Sequence, residues 1–204
     1  MPKKQLDLVE VQVQLPARTL SILRPREAEA LLDEEAFEHE EFLPYWAELW
    51  SSGEVLAREV AERDVAGASV VELGCGLALP SLAAAMGGAH VLATDWSPDA
   101  VSLAQDNARR NALELETALV RWSEPEKLVA RSPWDLVLAA DVLYERRNVD
   151  ELLALLPKLG EHVLITDPGR PHAKPFLERA AEDWAIEAQD HLFELWLAPR
   201  TRRN

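Results

Sequence analysis

The chain of 204 residues is acidic, with 36 Asp and Glu against 21 Lys and Arg and a formal net charge of −15. This length fits one domain, and a hydrophobic content of 48% is enough to build a substantial core. The charge argues against a nucleic-acid partner, because affinity for a phosphate backbone comes mainly from Lys and Arg. The chain shows neither an apolar run of membrane-spanning length nor a signal-peptide core, so we expect a cytoplasmic protein without a membrane partner.

Cysteine and histidine usage bears on disulfide and metal chemistry. Cys75 is the only cysteine, so it has no partner for an internal disulfide, and it stands in a glycine turn where a small side chain packs easily. The five histidines are scattered without metal-ligand spacing. We therefore predict a packing role for Cys75 and no metal site.

The N-terminal residues 1–43 are interpreted as an extension or lid. Residues 8–15 and 19–23 alternate between apolar and polar side chains, which predicts a short hairpin around Pro16. The acidic run REAEALLDEEAFEHEEF follows and has the pattern of an amphipathic helix. Its charged face could be simply solvated or could attract a basic partner, and both interpretations stay open.

From residue 44 onward, strand and helix patterns alternate, which is typical of a parallel sheet covered by helices. We assign residues 44–204 to one α/β domain with a Rossmann-like, doubly wound, seven-stranded and mostly parallel sheet. Its last two strands are close enough in sequence to form an antiparallel hairpin. The predicted strands are residues 69–73, 90–94, 117–122, 135–140, 162–166, 185–189 and 192–197. The predicted helices are residues 53–63, 79–86, 98–111, 125–130, 149–159 and 173–182.

The most informative motif is VELGCG, at the end of the first strand of this domain. Gly74 and Gly76 allow backbone to approach a ligand, and Asp95, about twenty residues on, is placed to accept hydrogen bonds from both hydroxyls of a ribose. Leu79 stands where a dinucleotide site carries a third glycine, and Glu72 favours a cationic amino group over a phosphate. Two glycines alone could be a tight βα turn, but the full pattern indicates S-adenosylmethionine, which has a ribose, a cationic amino group and no phosphate.

In open α/β sheets ligands bind outside the carboxyl ends of the strands, so the residues there are candidates for a site. These are Glu72 with the glycines, Asp95 with Trp96, Trp122, Asp141 with Tyr144, and the Asp167–Arg170 run. Each tryptophan could be core packing or an apolar wall for adenine. Trp50, just before a helix, could cover the methionine portion of the cofactor.

Taken together, the segments PYWAELWSSGEVL, VELGCG, ALVRW, ADVLYE and DPGR resemble class I, seven-stranded S-adenosylmethionine-dependent methyltransferases. Within that class they are most similar to the methyltransferase-like protein lysine methyltransferases. The resemblance implies that Asp141 and Tyr144 border the methyl-acceptor site and are the catalytic candidates. It implies that Glu72, Gly74, Gly76, Asp95 and Trp122 bind the cofactor, and Trp50, Trp96 and Ala140 are further candidates for the cofactor site.

The expected reaction is direct methyl transfer to a lysine of a protein partner. Asp141 would bind and orient the amine or take its proton through water, and Tyr144 would add a ring wall and a hydroxyl. Alternatively, Asp141 caps the following helix and Tyr144 packs in its first turn. The rival functions are methylation of a small-molecule amine or other metabolite, and cofactor binding without catalysis. Adenine methylation and NAD-dependent dehydrogenation fit the motifs less well.

Overall fold

The structure is a computed structural model that describes residues 6–28, 31 and 44–198, and its centre is a seven-stranded sheet. A separate antiparallel hairpin pairs β1 (Leu8–Gln14) with β2 (Thr19–Pro25), as predicted. The strands of the main sheet are β3 (Ser69–Leu73), β4 (His90–Asp95), β5 (Glu116–Leu119), β6 (Leu136–Ala140), β7 (His162–Thr166), β8 (Trp184–Gln189) and β9 (Leu192–Leu197). Their spatial order is β5-β4-β3-β6-β7-β9-β8, and β9 runs antiparallel to both of its neighbours, β7 and β8, whereas the other neighbouring strands pair in parallel.

Helices cover both faces of this sheet. They are α1 (Ser51–Ala61), α2 (Leu79–Met86), α3 (Pro98–Arg110), α4 (Glu126–Val129), α5 (Arg146–Leu159) and α6 (Ala173–Ala180), and a 3-10 turn at Tyr45–Ala47 precedes α1. Successive strand residues alternate between two hydrophobic clusters: Val70 packs with α1, α2 and α3, whereas Val71 packs with α4, α5 and α6. The doubly wound α/β fold is confirmed. Within the described ranges, no helix combines the length and apolarity needed to cross a bilayer.

The parallel register determines where the site can form. Leu73 pairs with Thr94 of β4 and with Ala139 of β6, and Ala140 pairs with Thr166 of β7. The carboxyl ends of these neighbouring strands therefore meet at one edge of the sheet, as expected for a ligand site in an open α/β fold.

Element boundaries differ from the sequence prediction in two informative places. Strand β5 was predicted to extend to Trp122, but it ends at Leu119, because its neighbour β4 ends at Asp95, whose carbonyl accepts a hydrogen bond from the Val120 amide. As an edge strand, β5 has no other partner there, and the chain turns away from the sheet. Helix α5 begins at Arg146, three residues before its predicted start.

The hairpin is joined to the main domain through side-chain amides of α3. Oδ1 of Asn107 accepts a hydrogen bond from the Leu23 amide at 2.7 Å, and its Nδ2 donates to the carbonyls of Leu23 and Leu77. One turn later, Asn111 makes the same pair of bonds to the backbone of Ser21. Apolar side chains of the hairpin also enter the core shared by α1, α2 and α3. Most of the predicted acidic helix lies outside the described residues.

Replacing Asn107 with alanine should destabilise the fold by about 1–3 kcal/mol, because partly buried backbone groups of Leu23 lose their partners. Urea denaturation of Asn107→Ala and wild type would measure the difference. Gln105→Ala is the matched control, since Gln105 lies on the exposed side of the same helix. Equal losses in the two variants would contradict the anchoring role of Asn107.

Candidate functional site

A cavity of about 370 Å³ opens at the carboxyl edge of the sheet, and all of the predicted site residues line it. They are Trp50, Glu72, Gly74, Gly76, Asp95, Trp96, Trp122, Ala140, Asp141 and Tyr144. These residues come from the ends of β3, β4 and β6, from the turn after β5 and from the segment before α1. The strand-end principle therefore brings them to one place, while their individual roles stay predictions.

The glycine turn after β3 is the part of the wall that can approach a ligand most closely. Gly74 and Gly76 have φ angles of +66° and +50°, which residues with a side chain rarely adopt. A Cβ atom at Gly74 would lie 3.3 Å from Val142 and 3.5 Å from the ring of Trp122. At Gly76 it would lie 3.1 Å from the carbonyl oxygen of Trp46. Side chains here would press against these neighbours, so the two glycines allow Trp122 and the Trp46 backbone to pack closely around the turn.

Two carboxylates are buried beside this turn. Oε2 of Glu72 accepts hydrogen bonds from the amide and the hydroxyl of Ser81. The two carboxylate oxygens of Asp95 accept hydrogen bonds from the amides of Gly76 and Ser97, each at 2.9 Å. Burial raises the pKa of Glu72 to about 8, although the hydrogen bonds from Ser81 lower it, and the charge of Asp95 adds to the rise. Burial also raises the pKa of Asp95, although the backbone amides oppose it. The pair favours ligands that bring positive charge or hydrogen-bond donors.

The apolar walls come from Trp96, Trp122 and Ala140, which are each partly buried. Trp122 lies close to Gly74 because the chain leaves the sheet after β5, so its ring packs across the glycine turn. Trp96 and Trp122 both lie on the cavity wall, so contact of either ring with adenine is sterically possible and stays a prediction.

Asp141 follows β6 in an unusual backbone conformation for a residue with a side chain, with φ at +56°. Its amide donates to the Thr166 carbonyl at 2.8 Å. Its Oδ1 accepts a hydrogen bond from Nε of Arg170 at 2.7 Å. The alternative in which Asp141 caps a helix is wrong, because α5 begins at Arg146 and the residue before it is Glu145.

Three aromatic side chains, Tyr45, Trp50 and Tyr144, also line the cavity. The ring centroids of Tyr45 and Tyr144 lie 4.9 Å apart, those of Tyr45 and Trp50 lie 6.4 Å apart, and Nε1 of Trp50 donates to the Tyr45 carbonyl. Burial raises the pKa of Tyr144 to about 12, with a further rise from the Glu145 charge, so its hydroxyl keeps its proton near neutral pH. Tyr45 belongs to the segment PYWAELW, in which no sequence pattern indicates a role for it. Its nearness in sequence to Trp50 was the available signal.

Arg170 is the second residue whose importance the sequence did not reveal. In the sequence, the Asp167–Arg170 run is a candidate for the site only because it follows a predicted strand. In the structure, Arg170 pairs with Asp141, and its guanidinium carbon lies 5.5 Å from the centroid of the Trp50 ring. Nothing in the local pattern of DPGR predicts the direction of that side chain.

The remaining groups to consider are potential metal ligands and the thiol of Cys75. In the part of the chain that the structure describes, no three His, Cys, Asp or Glu side chains are grouped as metal ligands. Cys75 is buried, and burial raises the pKa of its thiol well above the ordinary value. A protonated, buried thiol is a poor nucleophile, as its predicted packing role requires.

Comparison with known proteins identifies relatives of this chain. Residues 40–178 match the family described as lysine methyltransferase. The chain is 37% identical to the electron transfer flavoprotein beta subunit lysine methyltransferase of Xenopus laevis, over 62% of this chain and 53% of that protein. The human protein of the same name is 35% identical, over 63% of this chain and 50% of that protein. The chain thus spans about half the length of these curated relatives.

Among solved structures, one similar fold is that of the T. thermophilus 16S rRNA N2 G1207 methyltransferase in complex with AdoMet and guanosine. The TM-score is 0.71, with 14% sequence identity, over 98% of this chain and 52% of that chain. At this identity the similarity supports the fold alone.

The Glu72 carboxyl should make the folded protein less stable as pH rises. Its folded-state pKa of about 8 exceeds the ordinary value of 4.5, so the folded form keeps a proton that the unfolded chain releases between these values. The stabilisation is complete below the ordinary value and is lost as pH rises through about 8. Glu72→Gln removes this effect, so its stability relative to ligand-free wild type should rise between about pH 5 and about pH 8, by up to about 1.4 kcal/mol per unit.

Urea denaturation of both proteins across this pH range checks the expectation. Glu114→Gln, at an exposed glutamate in the connection between α3 and β5, is the control. A constant difference between Glu72→Gln and wild type would show that Glu72 does not carry the pH dependence.

Proposed function

This chain belongs to the lysine methyltransferase family, and we propose that it transfers a methyl group from S-adenosylmethionine to the Nζ atom of a lysine in a protein. The observation that carries the proposal is one cavity with two chemically different ends. The lining includes the buried carboxyl groups of Glu72 and Asp95 beside the glycine turn, called the cofactor end here, and Asp141 together with the rings of Tyr45, Trp50 and Tyr144, called the acceptor end. The first suits the cofactor and the second suits a lysine side chain.

The cofactor end fits S-adenosylmethionine on the chemistry of its donor set. Asp95 would accept hydrogen bonds from the ribose hydroxyls, and Glu72 would face the cationic amino group, whose charge offsets that of a desolvated carboxylate. Gly74 and Gly76 form the part of the cavity wall between these two carboxyl groups, in a backbone conformation that side chains disfavour. A pyrophosphate would instead bring negative charge toward both carboxylates.

The remaining cofactor contacts follow the same division. Trp96 and Trp122 would provide apolar surfaces for adenine, Ala140 would border the cofactor near the acceptor end, and Trp50 would cover the methionine portion. The bound cofactor supplies a methyl group attached to a positively charged sulfur. The residues of this chain then have to deliver a neutral amine in line with that carbon–sulfur bond.

In the proposed reaction, the lysine Nζ would bond to the methyl carbon as the carbon–sulfur bond of the cofactor breaks, and the bonding electrons would remain on sulfur. The amine needs a free lone pair, and releasing the proton of a lysine with an ordinary pKa of about 10.4 costs about 4.6 kcal/mol at pH 7. The rings of Tyr45, Trp50 and Tyr144 would lower this cost, because an apolar passage disfavours the ammonium form. The released proton leaves through water.

Asp141 would orient the amine for this attack. Arg170 bonds to its Oδ1, so the other oxygen, Oδ2, is the one we assign to the amine. The phenol of Tyr144 stays protonated near neutral pH, so it would contribute a ring wall and a hydroxyl rather than a base. The names of the relatives suggest the electron transfer flavoprotein beta subunit as the first protein to test.

Asp95→Ala should weaken binding of S-adenosylmethionine by about tenfold to a hundredfold or more, because charge-assisted hydrogen bonds worth about 1.5–3 kcal/mol are lost. Isothermal titration calorimetry would measure the change. Asp99→Ala, at an exposed aspartate at the start of α3, is the control, and thermal unfolding would check that the variants fold. Wild-type affinity in folded Asp95→Ala would remove Asp95 from the site.

The function is tested by incubating the protein with isotopically labelled S-adenosylmethionine and the electron transfer flavoprotein beta subunit, and in parallel with a cell lysate. We expect label in a protein band, on a lysine nitrogen by mass spectrometry. Asp141→Asn should lower turnover by about a hundredfold to ten-thousandfold with cofactor affinity largely kept. Asp150→Asn, an exposed aspartate paired with Arg179, should behave as wild type.

Two outcomes would contradict this assignment. Label found only in small molecules, and not in any protease-sensitive band, would favour methylation of a metabolite. A metabolite methyltransferase would use the same cofactor end of the cavity. Near wild-type turnover in Asp141→Asn would remove Asp141 from the chemistry.

A further inference from the structure

Arg170 does not line the cavity itself but contacts Asp141, which is part of the cavity wall. Its Nε donates to Oδ1 of Asp141 at 2.7 Å, and the Asp141 side chain is only 5% exposed whereas that of Arg170 is 32% exposed. Asp141 lines the cavity, and Arg170 is not among the described residues that do. The guanidinium also stacks toward the Trp50 ring, 5.5 Å from its centroid. Arg170 therefore contacts two wall residues at once.

The loop that carries Arg170 is built on another buried carboxylate. Oδ1 of Asp167, which is fully buried, accepts hydrogen bonds from the amides of Gly169 at 2.8 Å and Arg170 at 2.6 Å. The Asp167 amide in turn donates to the His191 carbonyl. These bonds hold the backbone of Arg170 in place, so the guanidinium is directed at Asp141 by the fold rather than by chance surface pairing.

Apart from Arg170, the charged groups around the cavity are mostly acidic. The hydrogen bond to Asp141 raises the pKa of Arg170 against the effect of partial burial, and the charges of Asp141 and Asp167 add to the rise. The other charged groups on the cavity wall are Glu48, Glu72, Asp95, Arg121, Glu145, Arg147 and Glu151. Of these, Arg147 is paired with Glu145, and Glu48 lies 3.4 Å from Arg24. Carboxylates thus outnumber cations around the cavity.

This excess creates a conflict for a lysine methyltransferase. A carboxylate near an amine stabilises the ammonium form, which has no lone pair for methyl transfer. A neighbouring cation has the opposite effect and lowers the pKa of the amine, which is one way that enzymes activate lysines. An Asp141 without a counterion would hold the substrate in its unreactive state, even while orienting it well.

On the basis of the proposed function, we infer that Arg170 is a positioning residue that acts through Asp141. It holds the carboxylate at the amine and offsets its charge, so that the bound lysine can release its proton near neutral pH. Asp141 then orients Nζ without trapping it as an ammonium ion. The Trp50 ring, packed against the same guanidinium, keeps this ion pair beside the aromatic passage.

The inference predicts a change in the pH dependence of turnover when the charge of Arg170 is removed. The kcat profile reports groups in the enzyme–substrate complex, and an opposite charge within about 4–6 Å shifts a pKa by about 1–3 units. In Arg170→Gln the acidic limb of the profile should move up by about one to two pH units, because Asp141 loses its counterion. Turnover should fall by about tenfold or more at pH 7 and approach wild type at high pH. Arg170→Lys should keep the wild-type limb.

The profiles are measured with saturating S-adenosylmethionine and the electron transfer flavoprotein beta subunit, or the acceptor that labelling identifies instead. Arg170→Met is a second charge-free variant, whose apolar stem can still pack on Trp50 if the glutamine variant does not fold. Arg179→Gln, which removes a surface arginine paired with Asp150, is the matched control and should leave the limb unchanged. Calorimetric binding of the cofactor should be similar in all folded variants.

A common acidic limb in wild type and the charge-free variants would overturn the inference, even if turnover fell, because a merely structural role lowers activity at every pH. An equal shift in Arg170→Lys would also overturn it, since the charge would not be the cause. Absence of lysine methylation by the wild type would overturn the proposed function and this inference together. An active wild type with unshifted variants would overturn only the role of Arg170.

Discussion

Glu72 and Asp95 are two carboxylates buried at the ends of neighbouring parallel strands, and the character of the cavity depends on them. Parallel pairing of β3 with β4 brings them to the same edge of the sheet, and the glycine turn lies between them. The protein offsets their desolvation only in part, through Ser81 and backbone amides, so the pKa of each remains raised. A ligand that supplies a cation and hydroxyl donors completes these bonds, whereas a phosphate would oppose them.

At the acceptor end of the cavity, the charge of the buried carboxylate is balanced in a different way. Asp141 is also poorly exposed, but there the chain supplies its own cation, Arg170, which is held by a loop that Asp167 organises. Aromatic rings rather than amides form the surroundings. On the proposed function, one cavity would hold a cationic cofactor beside Glu72 and Asp95 and would favour loss of a proton from an amine beside Asp141.

Sequence reasoning was most successful where the signal is local. The alternation of strands and helices predicted the parallel sheet, and the rule for strand ends located Glu72, Asp95 and Asp141 on one cavity. It failed where tertiary contacts decide the outcome. Whether β5 continues to Trp122 depends on the length of its neighbour, and the direction of the Arg170 side chain depends on a loop held by a buried carboxylate. Neither property is encoded in residue spacing.

The most direct test of this account is the ligand preference of the unmodified protein. Isothermal titration calorimetry with S-adenosylmethionine, with its demethylated product S-adenosylhomocysteine and with NAD, at one pH, would compare the three. The account predicts binding of the first two and no comparable binding of NAD, since the buried carboxylates favour a cation and a ribose but disfavour a pyrophosphate. Binding of NAD in preference to S-adenosylmethionine would contradict the central claim.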